Sequence, residues 1–137
     1  MNINKFTQKS LEAVQKCEKL AYEYGNQQIE QEHLLYSLLT VEDSLILKLI
    51  TKMNVQKEQF LNEAAQAIEK LPKVSGGQLY ISNDLNKVLI SAEDEAKAMG
   101  DEYVSVEHLF LAMLKQPSRM VKELFRSYGI TRENFLH

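Results

Sequence analysis

Sliding the sequence along itself by 75 positions lays residues 6–62 over residues 81–137 without a gap, and eleven of the 57 superposed pairs are identical. They include Gly25/Gly100, the triplet Glu32-His33-Leu34 over Glu107-His108-Leu109, and Phe60/Phe135 with Leu61/Leu136. Similar pairs such as Thr7/Ser82, Val14/Leu89, Asn26/Asp101 and Ile46/Val121 lie between them. A tandem copy restricts the architecture, because each copy has to be one supersecondary unit and the two must cover each other's apolar faces. The chain divides accordingly into a first repeat at 6–71, a linker at 72–80 and a second repeat at 81–137, within one domain spanning 1–137. The second repeat stops inside its last helix, as expected of a fragment of a longer chain or of one that has lost its end.

Inside each repeat the apolar residues follow a helical period. The opening helix begins after Thr7 or Ser82, whose side-chain oxygens suit an N-cap, and ends at Gly25 or Gly100, which tolerates a left-handed backbone. A second helix is expected at 31–40 and 106–115, a third at 44–52 and 118–127, and a fourth at 56–70 with its counterpart starting at residue 131. The stretch "LPKVSGGQLY", Leu71 to Tyr80, holds a proline and the Gly76-Gly77 pair and reads as a hinge or loop. No strand pattern of useful length occurs. The fold class is therefore all-α, two tandem four-helix repeats related by a pseudo-twofold axis.

With 16 Lys plus Arg against 19 Asp plus Glu, a net charge of -3 supplies no positive field with which to grip phosphates, so nucleic acid and anionic membrane are not expected partners. The single cysteine, Cys17, sits in an apolar stripe and reads as a small core hydrophobe in a reducing compartment, which points to the cytoplasm. No apolar run approaches the ~18 residues of a membrane span, and the amino terminus has no signal-like stretch. Without a long heptad repeat, a monomer is the expectation for this chain.

The doubled Glu-His phrase invites a metal or catalytic reading, and its spacing argues against one. A zinc-binding His-Glu-x-x-His puts two imidazoles one turn apart, whereas each helix here carries one His beside its apolar face. His33 and His108 read as a structural residue used twice, with a ring nitrogen bonded to nearby backbone. Glu32 and Glu107 fall in first helical turns, where the dipole favours a carboxylate; exposed, they would instead accept hydrogen bonds from a partner. Cys17 has no neighbouring base, and "SGGQ" lacks the Lys-Ser/Thr ending of a phosphate loop. Neither a cofactor nor enzymatic activity is expected of this chain. Leu11 and Ile90 lie off their helices' buried stripes: either they are buried where the copies meet, or they line a shallow groove suited to a peptide.

Taken together, the doubled unit resembles the amino-terminal domain of Clp-type AAA+ unfoldases and chaperones. The residues that carry the likeness are Phe6-Thr7 and Ile81-Ser82, Gly25-Asn26 and Gly100-Asp101, and the two Glu-His-Leu triplets. The linker and the stretches "LYISNDLNKVLISAEDEA" and "GDEYVSVEHLFLAML" are most similar to the ClpB disaggregases, less so to the protease-linked ClpC and ClpA. The resemblance implies a mobile appendage on a hexameric ATP-driven ring. It would collect unfolded or aggregated polypeptide for threading, or dock an adaptor protein in a ClpC- or ClpA-type parent, with ATP and magnesium handled by modules outside this chain. It implies roles in substrate handling for Thr7, Asp101 and Glu107, and a hydrophobic groove between the copies, to which periodicity assigns Leu11, Val14, Leu89 and Ile90. Glu30 stands where the second copy has Ser105, a better helix cap, so the halves are not expected to be equivalent in function.

Overall fold

The computed structural model describes residues 3–137. A 3-10 turn, Ile3–Lys5, leads into α1 (Gln8–Glu23), β1 (Gln28–Ile29), α2 (Gln31–Thr40), α3 (Leu45–Lys52) and α4 (Lys57–Glu69). The second repeat runs through β2 (Tyr80–Ile81), α5 (Asn83–Ala98), α6 (Val106–Lys115), α7 (Arg119–Ser127) and α8 (Arg132–Leu136). Adding 75 to the bounds of α1 and α2 gives those of α5 and α6.

The local signals behind this correspondence act where the sequence places them. Thr7 Oγ1 accepts the Ser10 N–H at 3.2 Å and Ser82 Oγ accepts the Leu85 N–H at 3.0 Å, so both opening helices are capped alike. At their other ends Gly25 and Gly100 adopt φ of 74° and 72°, and the next amide, Asn26 or Asp101, donates to the carbonyl of Ala21 or Ala96 at 2.8 Å. That is the six-to-one closure of a Schellman turn, which only a residue tolerant of positive φ completes cheaply.

The halves are stitched together by strands too short to show as a sequence pattern. β1 pairs in parallel with β2, Gln28 opposite Tyr80 and Ile29 opposite Ile81, and an isolated bridge joins Phe6 to Val104. Since Phe6 corresponds to Ile81 and Val104 to Ile29, the two bridges are twofold mates: each repeat's entry segment lies on the other's α1–α2 or α5–α6 link. Thr7 N–H donates to Val104 O and Ser82 N–H to Ile29 O, both at 3.0 Å.

A single core fills the space between the helices. α2 and α6 are sandwiched near its centre, with Leu34, Leu35, Leu109 and Phe110 fully buried. Phe110 meets Phe125 and Phe135 at ring-centroid distances of 5.5 and 4.8 Å, which seats α7 and the short α8. α8 is also pinned by Arg132, whose two guanidinium nitrogens donate to both oxygens of the buried Glu95 on α5 at 2.8 and 2.7 Å.

Candidate functional site

The histidines of the two Glu-His phrases are structural residues. The Glu30 N–H donates to His33 Nδ1 at 2.9 Å, so the ring proton sits on Nε2 and is directed to Asn26 Oδ1 at 2.9 Å. In the second half Ser105 N–H donates to His108 Nδ1 at 2.9 Å, and Nε2 meets Asp101 Oδ2 at 2.8 Å. Each imidazole therefore ties a helix N-terminus to the turn that ends the preceding helix, and both ring nitrogens are occupied in both copies. Among the described residues no cluster of three metal-ligating side chains occurs, and no helix is long and apolar enough to cross a membrane. Burial pushes the Cys17 thiol up to about 12, which keeps it protonated and unreactive.

Of the residues singled out from the sequence, Thr7 and Glu107 come together and Asp101 does not join them. Thr7, at the cap of α1, and Glu107, in the first turn of α6, line one cavity of about 170 Å³ with Lys9, Ser105 and Val106, floored by Leu38, Val41 and Leu45. Asp101 holds the His108 ring instead. Val14 and Leu89 share a cleft of only about 70 Å³ between α1 and α5, enough for a few waters and far below a ligand site's usual volume. Leu89 is 1% exposed, a core residue rather than the wall of a groove. Leu11 is half-buried against the core. Ile90 corrects the expectation of burial at the junction: one residue beyond Leu89, it lies about 100° further round α5 and is 48% exposed.

The duplication explains why the Thr7–Glu107 cavity is open. Its twofold mate is closed by Gln31, whose amide nitrogen donates to Asp84 O at 3.0 Å and Gln116 O at 2.9 Å, while its oxygen accepts the Ser118 N–H at 2.8 Å. The counterparts of Gln31, Asp84, Gln116 and Ser118 are Val106, Lys9, Val41 and Asp43, all of which line the cavity. Valine has neither the reach nor the polar atoms to make those three bonds, so the same corner stays hollow. The same difference separates the two glutamates: Glu32, beside the Gln31 plug, is 7% exposed and pushed up to about 7, chiefly by burial, whereas Glu107 is half-exposed.

Beyond Leu45 the cavity continues into an open groove of about 790 Å³ along α3, walled by Leu45, Leu47, Leu49 and Leu61 with Lys48, Lys52 and Lys57 at its edge. Sequence reasoning missed this surface because "LILKLI" reads as core. Only Ile46 and Ile50 of α3 are fully buried, and Leu45 is 39% exposed. The available signal was the comparison of copies: where α3 has Leu47, α7 has Lys122, so the fold does not require an apolar side chain there.

The sequence matches the family described as Clp repeat (R) N-terminal domain over residues 5–128. It is 37% identical to the chaperone protein ClpB of Nitratidesulfovibrio vulgaris across 99% of this chain and 16% of that protein. With ClpB of Porphyromonas gingivalis it is 46% identical across 83% of this chain and 13% of that one. It thus spans about one-sixth or less of the length of these relatives. The fold is shared with the Hsp104 N-terminal domain of Candida albicans at a TM-score of 0.85 and 20% identity, covering 96% of this chain and 86% of that one. A ClpV N-domain in complex with a VipB peptide has a TM-score of 0.76 at 23% identity, covering 96% and 82%. Paired repeats, reciprocal bridges and sequence agree: the chain belongs to the Clp repeat N-terminal domain family, and its sequence relatives are ClpB chaperones.

Proposed function

We propose that this chain is the client-binding amino-terminal domain of a ClpB-type AAA+ chaperone, capturing apolar stretches of unfolded or aggregated polypeptide for a hexameric ring to thread. The observation that carries the reading is the asymmetry of the two corners, one sealed by Gln31 and the other left open by Val106 with Thr7 and Glu107 at its rim. A protein that needed only a stable duplicated fold would have used the same plug twice. The floor of Leu38, Val41 and Leu45 offers apolar burial, and Thr7, Ser105 and Glu107 offer acceptors to the backbone amides of a passing segment. Polypeptide as the partner class is supported by the ClpV N-domain of the same fold, which has been captured with a peptide. A shallow site of this size binds weakly, because apolar contact at ~25 cal/mol/Å² over a small area barely exceeds the cost of association. Weak capture suits release into a motor.

Titration with a permanently unfolded protein such as reduced, carboxymethylated α-lactalbumin, followed by NMR, tests this. The amides of Thr7, Leu45, Val106 and Glu107 are expected to shift with micromolar or weaker affinity. Val106→Gln, which supplies the missing plug, is expected to weaken binding at least about tenfold without lowering Tm. Shifts confined to other surfaces, or undiminished binding by V106Q, would overturn the assignment.

A further inference from the structure

We infer that the α3 groove is a second polypeptide site, selective for acidic segments that present leucine-like side chains at helical spacing. The inference rests on the reading that this domain binds polypeptide, and it adds the chemistry of what is bound. Five leucines, Leu39, Leu45, Leu47, Leu49 and Leu61, line the groove. Its volume of about 790 Å³ lies within the ~300–1,000 Å³ usual for occupied sites. Such a wall suits one apolar face of a short helix, the groove-filling mode read as i, i+3 and i+4 anchors.

The charge at its edge fixes the rest. Lys48 is neutralised by Asp43 at 2.5 Å. Lys52 and Lys57 have no acidic partner among the described residues, and the duplication shows why. Lys57 stands where the second copy has Arg132, whose partner is Glu95, and the first copy has Leu20 in place of Glu95. Lys52 stands where α7 has Ser127. The first copy has thus gained leucine at 47, where the second has lysine, and carries two unpaired ammonium groups beside it. Carboxylates on an incoming helix would be attracted to this edge, whereas a basic segment would be repelled. The wider chain, at a net charge of -3, adds no general attraction for anions, so the selectivity is local to this edge.

Two capped peptides decide the question, sharing three leucines at i, i+4 and i+7 and differing only in flanking glutamates or lysines. In NMR titrations of this chain at low salt, the glutamate peptide is expected to shift amides of α3 and the start of α4 and to bind roughly tenfold more tightly than the lysine peptide. The gap should shrink at about 0.5 M salt, where the screening length falls to a few ångströms. The double variant Lys52→Glu/Lys57→Glu, whose exposed positions leave the fold intact, is expected to invert the preference. Equal binding of both peptides at α3 would overturn the charge selection and leave α3 a general polypeptide site. Silence of both peptides at α3 would overturn this second site, while the unfolded-protein titration would independently decide the Thr7–Glu107 assignment.

Discussion

Glu32→Gln is expected to stabilise the domain by about 2 kcal/mol at pH 8 and to uncover an acid-side weakness that the native chain conceals. Glu32 and His33 are adjacent, both buried, and displaced in opposite directions. Burial, aided by the charges of Glu30 and Asp84, pushes the Glu32 carboxyl from an ordinary 4.5 up to about 7 against the pull of its own backbone N–H. Burial likewise pushes His33 from 6.5 down to about 4. The Glu30 amide that donates to Nδ1 needs an unprotonated ring, which favours the neutral form further. For Glu32 the folded state holds the proton more tightly than the unfolded chain, so its contribution is complete below 4.5 and lost as pH rises through 7. For His33 the folded state resists protonation, so its contribution is complete above 6.5 and lost as pH falls towards 4. Between those limits the two slopes cancel, and the native domain should melt at nearly constant temperature. Glutamine removes only the first slope. The variant should melt about 6–10 °C above the native chain at pH 8 and lose about 3 kcal/mol between pH 6.5 and pH 4. Thermal melts across that range check both, and a variant that is destabilised at pH 8, or whose pH profile parallels the native one, would show that Glu32 is not buried in this way.

The ends of the helices were legible in the sequence because the interactions that set them span only a few residues. Thr7, Ser82, Gly25 and Gly100 carry their instructions with them, and the 75-residue offset made each a check on the other. Interactions between the halves were not legible. The bridges of Phe6 to Val104 and Ile29 to Ile81 involve too few residues to leave an alternating pattern. Gln31 looks like any polar first-turn residue until its three partners, 53 to 87 positions away, are brought to it. Exposure failed for a related reason. Leu45 and Leu47 carry the same hydrophobicity whether or not a neighbour covers them, and periodicity cannot say that no element does. The seam between α1 and α5 erred in the other direction: Leu89 is so well packed that the expected groove has closed to a cleft.

Arg132→Ala, in contrast, is expected to cost about 2–3 kcal/mol, and its partner variants identify the reason. Glu95 is 5% exposed and its carboxylate is satisfied on both oxygens by the Arg132 fork. Removing the guanidinium strands a charge in a site that has lost its hydration, and the penalty belongs to that stranded charge more than to the lost pair. It falls at the lower end for a buried pair because the Arg132 side chain is itself 41% exposed, so water can reach the vacated space. Glu95→Leu alone should be mild, since the freed guanidinium can turn to solvent. The double variant Glu95→Leu/Arg132→Lys should recover most of the stability, because Leu20 and Lys57 already occupy these two positions in the first repeat. Urea midpoints for the native chain and the three variants give the comparison, and faster hydrogen exchange in α8 for Arg132→Ala would locate the loss. If Glu95→Leu proved as damaging as Arg132→Ala, the pair would be acting through attraction across α5 and α8 rather than by sparing a buried carboxylate.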